Sequence, residues 1–300
     1  MAGTNNTKQP VAVVTGASRG IGKSIALRLA AEGCAVACVA RTLGDGDSHL
    51  DGSLEQTVAQ ITEAGGIAIP IVADLSAIDL DAAGIVAPAI EAFGPVDYLV
   101  NNAAAAYYTP YTEISAKRID IAYRVNVRTP WLLAQAVLPA MIERGSGSVL
   151  NISSGSARHP DGPPFVLGQT GGATAYGGSK AFLDRATTGA AAELFGTGVS
   201  LNCLTPEAAV ATPGANARVD LDATGHIIEP METMVEAAWV LLSGDPSVLT
   251  GRVAYSLSLL YELDLPVHDL AGADLVEGWQ PADFPVDRLK FSNVHERGKA

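Results

Sequence analysis

The sequence predicts an α/β fold in which a parallel sheet carries helices on both faces. Runs rich in Val, Ile and Ala alternate with amphipathic runs of helical length, a pattern typical of parallel strands joined by right-handed crossovers. The first apolar run, Val11–Thr15, leads into three glycines and then a helical pattern. We therefore expect one doubly wound domain with a seven-stranded parallel sheet, and ligands at the carboxyl ends of its strands.

The remaining strands are short runs of β-branched and small apolar residues bounded by glycine, proline or polar residues, as buried strands are. They are predicted at residues 35–40, 67–73, 96–101, 148–153, 199–204 and 252–255.

The helices are segments in which apolar residues recur three and four positions apart. After the helix that follows the glycines, they are predicted at residues 56–64, 82–93, 115–143 with a bend near Asn126, 175–195 and 231–243.

Three long connections interrupt this alternation, at residues 42–53, 155–174 and 206–230. Connections of this length are often functional loops. Periodicity weakens from residue 256 to residue 300. We expect a single domain over 1–300, with a core at about residues 10–255 and an extension packed on it.

Composition narrows the class of protein. Apolar residues make up 48% of the 300 and the net charge is -13, which favours a globular chain and argues against nucleic-acid binding or an anionic membrane surface. The amino-terminal residues are polar, so we expect a cytoplasmic protein without a membrane anchor. The cysteines occupy apolar contexts without metal-ligand spacing and are predicted as reduced core residues: Cys34, Cys38 and Cys203.

The glycines after the first strand, Gly16, Gly20 and Gly22, stand between that strand and a helix. Such a turn directs backbone N–H groups and the positive end of a helix dipole to one point, which favours a pyrophosphate.

Tyr176 and Lys180 stand four residues apart at a predicted helix start, and so on one face. A free phenol, with a pKa of about 10, is a poor base near neutrality. A fixed ammonium beside it stabilises the phenolate, so the pair suggests acid/base chemistry.

Together these motifs resemble the short-chain dehydrogenase/reductase family, and within it a hydroxysteroid-dehydrogenase-like subgroup. The match covers about residues 10 to 255. Its motifs are TGASRGIG at 15–22, DL at 74–75, NNAA at 101–104, Asn126, NISS at 151–154, YGGSK at 176–180, and Pro206 with Thr212.

The resemblance implies a Rossmann domain and a catalytic tetrad. Tyr176 would be the general acid/base, and Lys180 would tune it and hold the nicotinamide ribose. Ser154, rather than Ser153, would hydrogen-bond the substrate oxygen. Asn126 would hold a water that links Lys180 to solvent.

The resemblance also implies the cofactor contacts. Asp74 would meet the adenine, and Thr212 the nicotinamide carboxamide. The implied set is Gly16, Ser18, Arg19, Gly20, Ile21, Gly22, Arg41, Asp74, Leu75, Asn102, Ala103, Tyr176, Lys180, Pro206 and Thr212, and no metal is expected.

The choice of cofactor depends on the end of the second strand. An acid there would bind the ribose 2′-hydroxyl of NAD, but this chain has Arg41, and Arg19 lies in the glycine turn. Two guanidinium groups can bracket a 2′-phosphate, so NADP(H) is favoured over NAD(H). The alternatives are that both arginines are merely solvated, or that Asp45 and Asp47 redirect Arg41.

The sequence departs from the family pattern in four places. Residues 255–258, YSLS, stand where an Asp-Gly-Gly ending is frequent. Ala104 stands where a glycine is usual, Glu207 replaces the glycine after Pro206, and Thr212 lies one residue further from that proline. Ser154, the serine implied to contact the substrate, is present, and its presence favours a catalytic protein.

The predicted function is therefore that of an NADP(H)-dependent oxidoreductase, which interconverts a secondary alcohol and a ketone. The alternatives are a silent dinucleotide sensor and an enzyme for enoyl or CoA-linked substrates. Family members associate through their two long helices, so a dimer or tetramer is expected. Side chains left between pocket and surface roles are Tyr107, Tyr108, Tyr111 and His159, and Trp131 and Trp239 are assigned to core or subunit contacts.

Overall fold

A computed structural model gives the structure of the protein, and it describes residues 9–48, 50–166, 170–213, 228–284, 286 and 289.

The main sheet has seven parallel strands, as the sequence predicts, and two further short strands form a pair apart from it. In chain order the strands are β1 Val11–Thr15, β2 Ala35–Ala40, β3 Ile67–Val72, β4 Tyr98–Asn101, β5 Gly147–Ile152, β6 Val199–Thr205, β7 Ala209–Val210, β8 Ile228–Glu229 and β9 Val253–Tyr255. The large sheet has the order β3-β2-β1-β4-β5-β6-β9, and β7 pairs with β8 in parallel apart from it. The strand order reverses between β1 and β4, so their carboxyl ends frame the crevice in which such folds bind ligands.

The helices lie on both faces of the sheet. They are α1 Gly20–Ala31, α2 Leu54–Glu63, α3 Ala82–Phe93, α4 Ala116–Tyr123, α5 Thr129–Arg144, α6 Thr174–Leu194, α7 Met231–Ser243 and α8 Ser256–Leu263. The predicted boundaries agree with these to within one or two residues, with two exceptions: the region from 115 to 143 and the start of the extension.

The helix predicted over 115–143 is divided. A π-helical turn, Arg124–Arg128, joins α4 to α5, and this turn is the bend expected near Asn126. A π turn inserts one extra residue between hydrogen-bonded groups, and such turns are frequent at functional sites.

Two apolar layers cover the sheet. One contains side chains of α1, α7 and α8 against β1 and β2, including Ile25, Leu29 and Leu241. The other contains α3, α5 and α6, including Leu133 and Met141. Strands β1 and β2 are buried along their whole length, which explains their nearly continuous apolar sequence.

The extension begins with a helix that the weakening periodicity did not predict. In α8 the first five residues are all buried, serines included, so the helix has no polar face there and gives no amphipathic signal. Val267 and Phe284 beyond it are buried in the layer formed by α1 and α7.

No helix in the described part of the chain combines the length and the apolar character that a membrane crossing requires.

Candidate active site

The glycine turn has the geometry that a close backbone approach requires. Gly16 and Gly20 have φ of 69° and 56°, in the left-handed region that favours glycine. A Cβ on Gly16 would lie 2.7 Å from Asn102 Nδ2, and one on Gly22 would collide with the Gly16 carbonyl. Arg19 begins α1 without a side-chain cap, so the first N–H groups of that helix can bind an anion.

The end of β1 is tied to the end of β4. Thr15 Oγ1 accepts hydrogen bonds from Asn102 N at 3.0 Å and Ala103 N at 3.1 Å. Asn102 Nδ2 donates to Thr15 O at 2.9 Å. The asparagine therefore braces the glycine turn with its side chain and lines the cleft with its backbone.

Two arginines meet at the end of β2. Arg19 Nη2 donates to Gly52 O at 2.7 Å and Nη1 to Ser48 Oγ at 3.2 Å. Partial burial and the neighbouring Arg41 guanidinium lower the pKa of Arg19. An anion between two neighbouring guanidinium groups would favour the charged form of both.

The acids that could have redirected Arg41 have other partners. Asp47 Oδ2 accepts from Gly44 N at 2.9 Å, and Asp45 Oδ2 accepts from Gln56 Nε2 at 3.0 Å. Both acids thus have partners other than Arg41, which favours Arg41 as an anion contact over the interpretation that they redirect it.

Asp74 lies at the same end of the sheet. Burial alone would raise its pKa, but hydrogen bonds from Ser76 N and Oγ and the charges of Arg41 and Arg124 hold that pKa below its usual range. Asp74 is thus an ionised acceptor beside Leu75 in the cleft.

Tyr176 and Lys180 lie in the first turns of α6. The Lys180 side chain is 2% exposed, and its Nζ donates to Ile152 O at 2.6 Å. Nζ is 5.9 Å from the centroid of the Tyr176 ring. Burial lowers the Lys180 pKa to about 8, against the charges of Cys203 and Asp184, so the ammonium is the main form at neutral pH.

Ser154 follows β5 at the wall of the cleft and caps a short 3-10 turn, Gly155–Ala157, where its side chain accepts from Ser156 N at 3.2 Å. Ser153 is only 4% exposed. Of the two hydroxyls, Ser154 is therefore the more accessible.

Asn126 is fully buried in the π turn. Its Oδ1 accepts from Ala105 N at 2.8 Å, and its Nδ2 donates to Ala105 O at 3.0 Å and to Ser179 Oγ at 2.9 Å. Both amide hydrogens are in use, so the Asn126 side chain has no further hydrogen to donate.

These side chains surround one cleft of about 1460 Å³. It is lined by most of the predicted set: Gly16, Ser18, Arg19, Gly20, Ile21, Arg41, Asp74, Leu75, Asn102, Ala103, Ser154, Tyr176, Lys180, Pro206 and Thr212. Gly22 lies beneath the turn, against Gly16 and Asn102, and Asn126 lies behind the loop that carries Ala105. Both support the cleft from outside it.

Thr212 lies over the glycine turn. A Cβ on Gly20 would meet its Cβ and Cγ2 at 3.2 Å, so the extra residue after Pro206 does not remove Thr212 from the cleft.

Two glutamates outside the predicted site set, Glu207 and Glu229, lie near each other after β6. Glu207 Oε2 accepts from Ser258 N at 3.1 Å, and burial raises the pKa of Glu229 to about 7 despite its hydrogen bond from Ser256 Oγ.

The extension contributes three cleft residues that sequence reasoning missed: Leu257, Trp279 and Leu289. The sequence contained no signal for them, because they follow the last strand in a region without clear periodicity. Across the described part of the chain, no cluster of three or more metal-ligating side chains is found.

The family model described as short chain dehydrogenase matches residues 10–221. A short chain dehydrogenase of Pseudocercospora fijiensis is 38% identical over 231 residues, which is 75% of this chain and 68% of the relative. Hydroxysteroid dehydrogenase-like protein 2 of Danio rerio is 29% identical and covers 94% of this chain, which spans 66% of that relative.

Among solved structures, a protein assigned as an NAD(P)-dependent gluconate 5-dehydrogenase from Beutenbergia cavernae, with NADP bound, superposes with a TM-score of 0.69. It is 31% identical, and the alignment covers 85% of this chain and 97% of that one.

Proposed function

This chain belongs to the short-chain dehydrogenase/reductase family, and from that premise we propose that it is an NADP(H)-dependent oxidoreductase that interconverts a secondary alcohol and a ketone. Membership makes it an oxidoreductase acting on CH–OH groups. The observation that carries the finer proposal is the meeting of Tyr176 with a buried, hydrogen-bonded Lys180 in the cleft.

The cleft fits a nicotinamide dinucleotide. Gly16 and Gly20 allow the tight turn before α1, the uncapped start of α1 suits a pyrophosphate, and Asp74 at the far end is an ionised acceptor. The bound nicotinamide would supply or accept the hydride.

The protein's own groups would then handle the proton. We assign the Tyr176 hydroxyl as the donor to the ketone oxygen, and as the acceptor in the reverse direction. The Lys180 ammonium near the ring would stabilise the phenolate electrostatically. Ser154 would orient the same oxygen, and Asn126 would hold the water that links Lys180 to solvent, from its position behind the Ala105 segment.

The experiment that tests this function is NADPH oxidation, followed by absorbance, with a panel of apolar ketones and aldehydes. Ketone-dependent turnover is expected. Tight NADPH binding without turnover on any carbonyl or enoyl compound would instead favour the silent sensor.

We expect Arg41→Gln to weaken NADPH binding by about 10- to 100-fold and NADH binding by less than about 3-fold. The reason is that charge-assisted hydrogen bonds contribute about 1.5–3 kcal/mol each, and only NADPH has the 2′-phosphate. Calorimetry with each cofactor measures this. Lys117→Gln is the charge-matched control, because Lys117 is exposed on α4 and does not line the cleft. Equal losses for both cofactors, or a wild-type preference for NADH, would contradict the assignment.

We also propose that copies of the chain associate through the outer face of α4 to α6. Tyr123, Trp131 and Phe182 are 54%, 51% and 45% exposed there, and the Trp131 and Phe182 rings lie 6.4 Å apart. Trp239 instead packs on Tyr98. Ala191 of α6 does not contribute to this face, because it is buried in the layer against the sheet. Sedimentation that finds only a 30.8 kDa species at micromolar concentration would refute association.

A cytoplasmic location remains a proposal. The three thiols are free and buried, which suits a reducing compartment, and cell fractionation would test it.

A further inference from the structure

One wall of the cleft is made by the segment after β4. Residues 103–106 are four consecutive alanines that line the cleft, followed there by Tyr107 and Tyr108. Alanine side chains have no hydrogen-bonding groups, so this wall offers a polyol or a sugar acid no side-chain partner along those four residues. The wall suits an apolar compound.

The wall is held in place on both sides of Tyr108. On one side, the Asn126 amide binds both backbone groups of Ala105. On the other, Thr109 N donates to Gly172 O at 3.0 Å, and Arg118 Nη1 donates to Thr109 Oγ1 at 3.2 Å. A segment fixed in this way loses little conformational entropy when a ligand binds.

The Tyr108 ring lies beside the Tyr176 ring. Their centroids are 6.2 Å apart and their planes are inclined at 48°. Tyr108 is 43% exposed, so part of its ring surface is available to a ligand. The neighbouring Tyr107 differs, because the Arg118 guanidinium lies 5.4 Å from its ring centroid and covers it.

The cationic side chains at this end of the cleft already have partners, so they do not favour an anionic substrate. Apart from the arginine pair at the end of β2, the Lys and Arg residues among the described lining are Lys180 and Arg158. The Lys180 ammonium binds Ile152 O, and the Arg158 side chain hydrogen-bonds Tyr255.

We propose that Tyr108 determines specificity by holding a planar ring attached to the reacting carbonyl, so that the substrates are apolar aryl or fused-ring ketones. This rests on the proposed function, because it places the reacting oxygen at Tyr176. A ring on the carbonyl carbon would then contact the Tyr108 ring in an offset or inclined arrangement, as aromatic pairs prefer.

The test compares two vicinal diketones that differ in the ring, 1-phenyl-1,2-propanedione and 2,3-pentanedione, with NADPH saturating. Tyr108→Ala is expected to lower kcat/KM for the phenyl compound by about tenfold or more, mainly through KM, and to change it for 2,3-pentanedione by less than about twofold. Tyr108→Phe keeps the ring and should restore the wild-type ratio. Tyr111→Ala is the control from the same segment, since Tyr111 is 79% exposed and lies outside the cleft.

Equal losses on both diketones would show a structural role for Tyr108 and overturn the proposal, as would no loss on either. If wild type turns over neither compound, the carbonyl panel still decides the proposed function, and binding decides the role of Tyr108. Calorimetry of 1-phenyl-1,2-propanedione with the NADP⁺-loaded protein, where no reduction can occur, should then show an affinity about tenfold weaker in Tyr108→Ala. An unchanged affinity would refute the inference.

Discussion

Tyr176→Phe is expected to lower kcat by about 10³-fold or more and to leave the NADPH dissociation constant within about twofold of wild type. A positioned general acid contributes about 10²–10⁴-fold, and the nearby Lys180 ammonium is fixed on Ile152 O by the hydrogen bond at 2.6 Å. The substitution removes one hydroxyl and keeps the ring that packs beside Tyr108.

Steady-state NADPH oxidation and calorimetry measure the two quantities on the same preparation. Tyr123→Phe is the matched control, because it removes the same hydroxyl from an exposed tyrosine on α4. Retained turnover in Tyr176→Phe would refute the assignment of the proton donor. Loss of turnover together with NADPH binding would show damage to the cleft instead.

Arg28→Met is expected to reduce the free energy of unfolding by about 3–5 kcal/mol, because it leaves a buried carboxylate without its counter-charge. Arg28 and Glu236 are 3% and 5% exposed. Arg28 Nη1 and Nη2 donate to the two oxygens of Glu236 at 2.9 and 3.3 Å, and Nε donates to Glu32 at 2.7 Å. His268 N also donates to Glu236 Oε2 at 3.1 Å, so the cluster ties α1 and α7 to the extension.

Urea unfolding measures the loss. Arg144→Met is the control, since the Arg144 pair with Asp97 is about a quarter exposed on each side and such pairs contribute about 1 kcal/mol or less. The double variant Arg28→Met/Glu236→Leu removes both charges and should recover part of the stability. A single Arg28→Met no more harmful than Arg144→Met would contradict the prediction.

Much of the site could be predicted because its elements are local. The apolar runs of β1 and β2 are continuous since both strands are buried on two faces. The glycine turn is a short contiguous motif, and the spacing of Tyr176 and Lys180 places them on one helix face. Such features depend on residues within a few positions of each other, where periodicity and backbone sterics act.

Other features depend on residues far apart in the chain. The Arg28 and Glu236 pair joins positions 208 residues apart, Arg19 is held by Gly52, and Tyr108 lies beside Tyr176. In each case the sequence does not show which partner the side chain will have. It acquires that partner only when distant strands and loops converge.

By itself, then, the sequence determined the parallel sheet, the family motifs and the predicted acid/base pair, since each is encoded in short-range spacing. The tertiary structure alone decided the π turn around Asn126, the buried α8, and the entry of Leu257, Trp279 and Leu289 into the cleft. The physical reason is that burial and long-range hydrogen bonding, which no local periodicity encodes, select these arrangements when the chain packs.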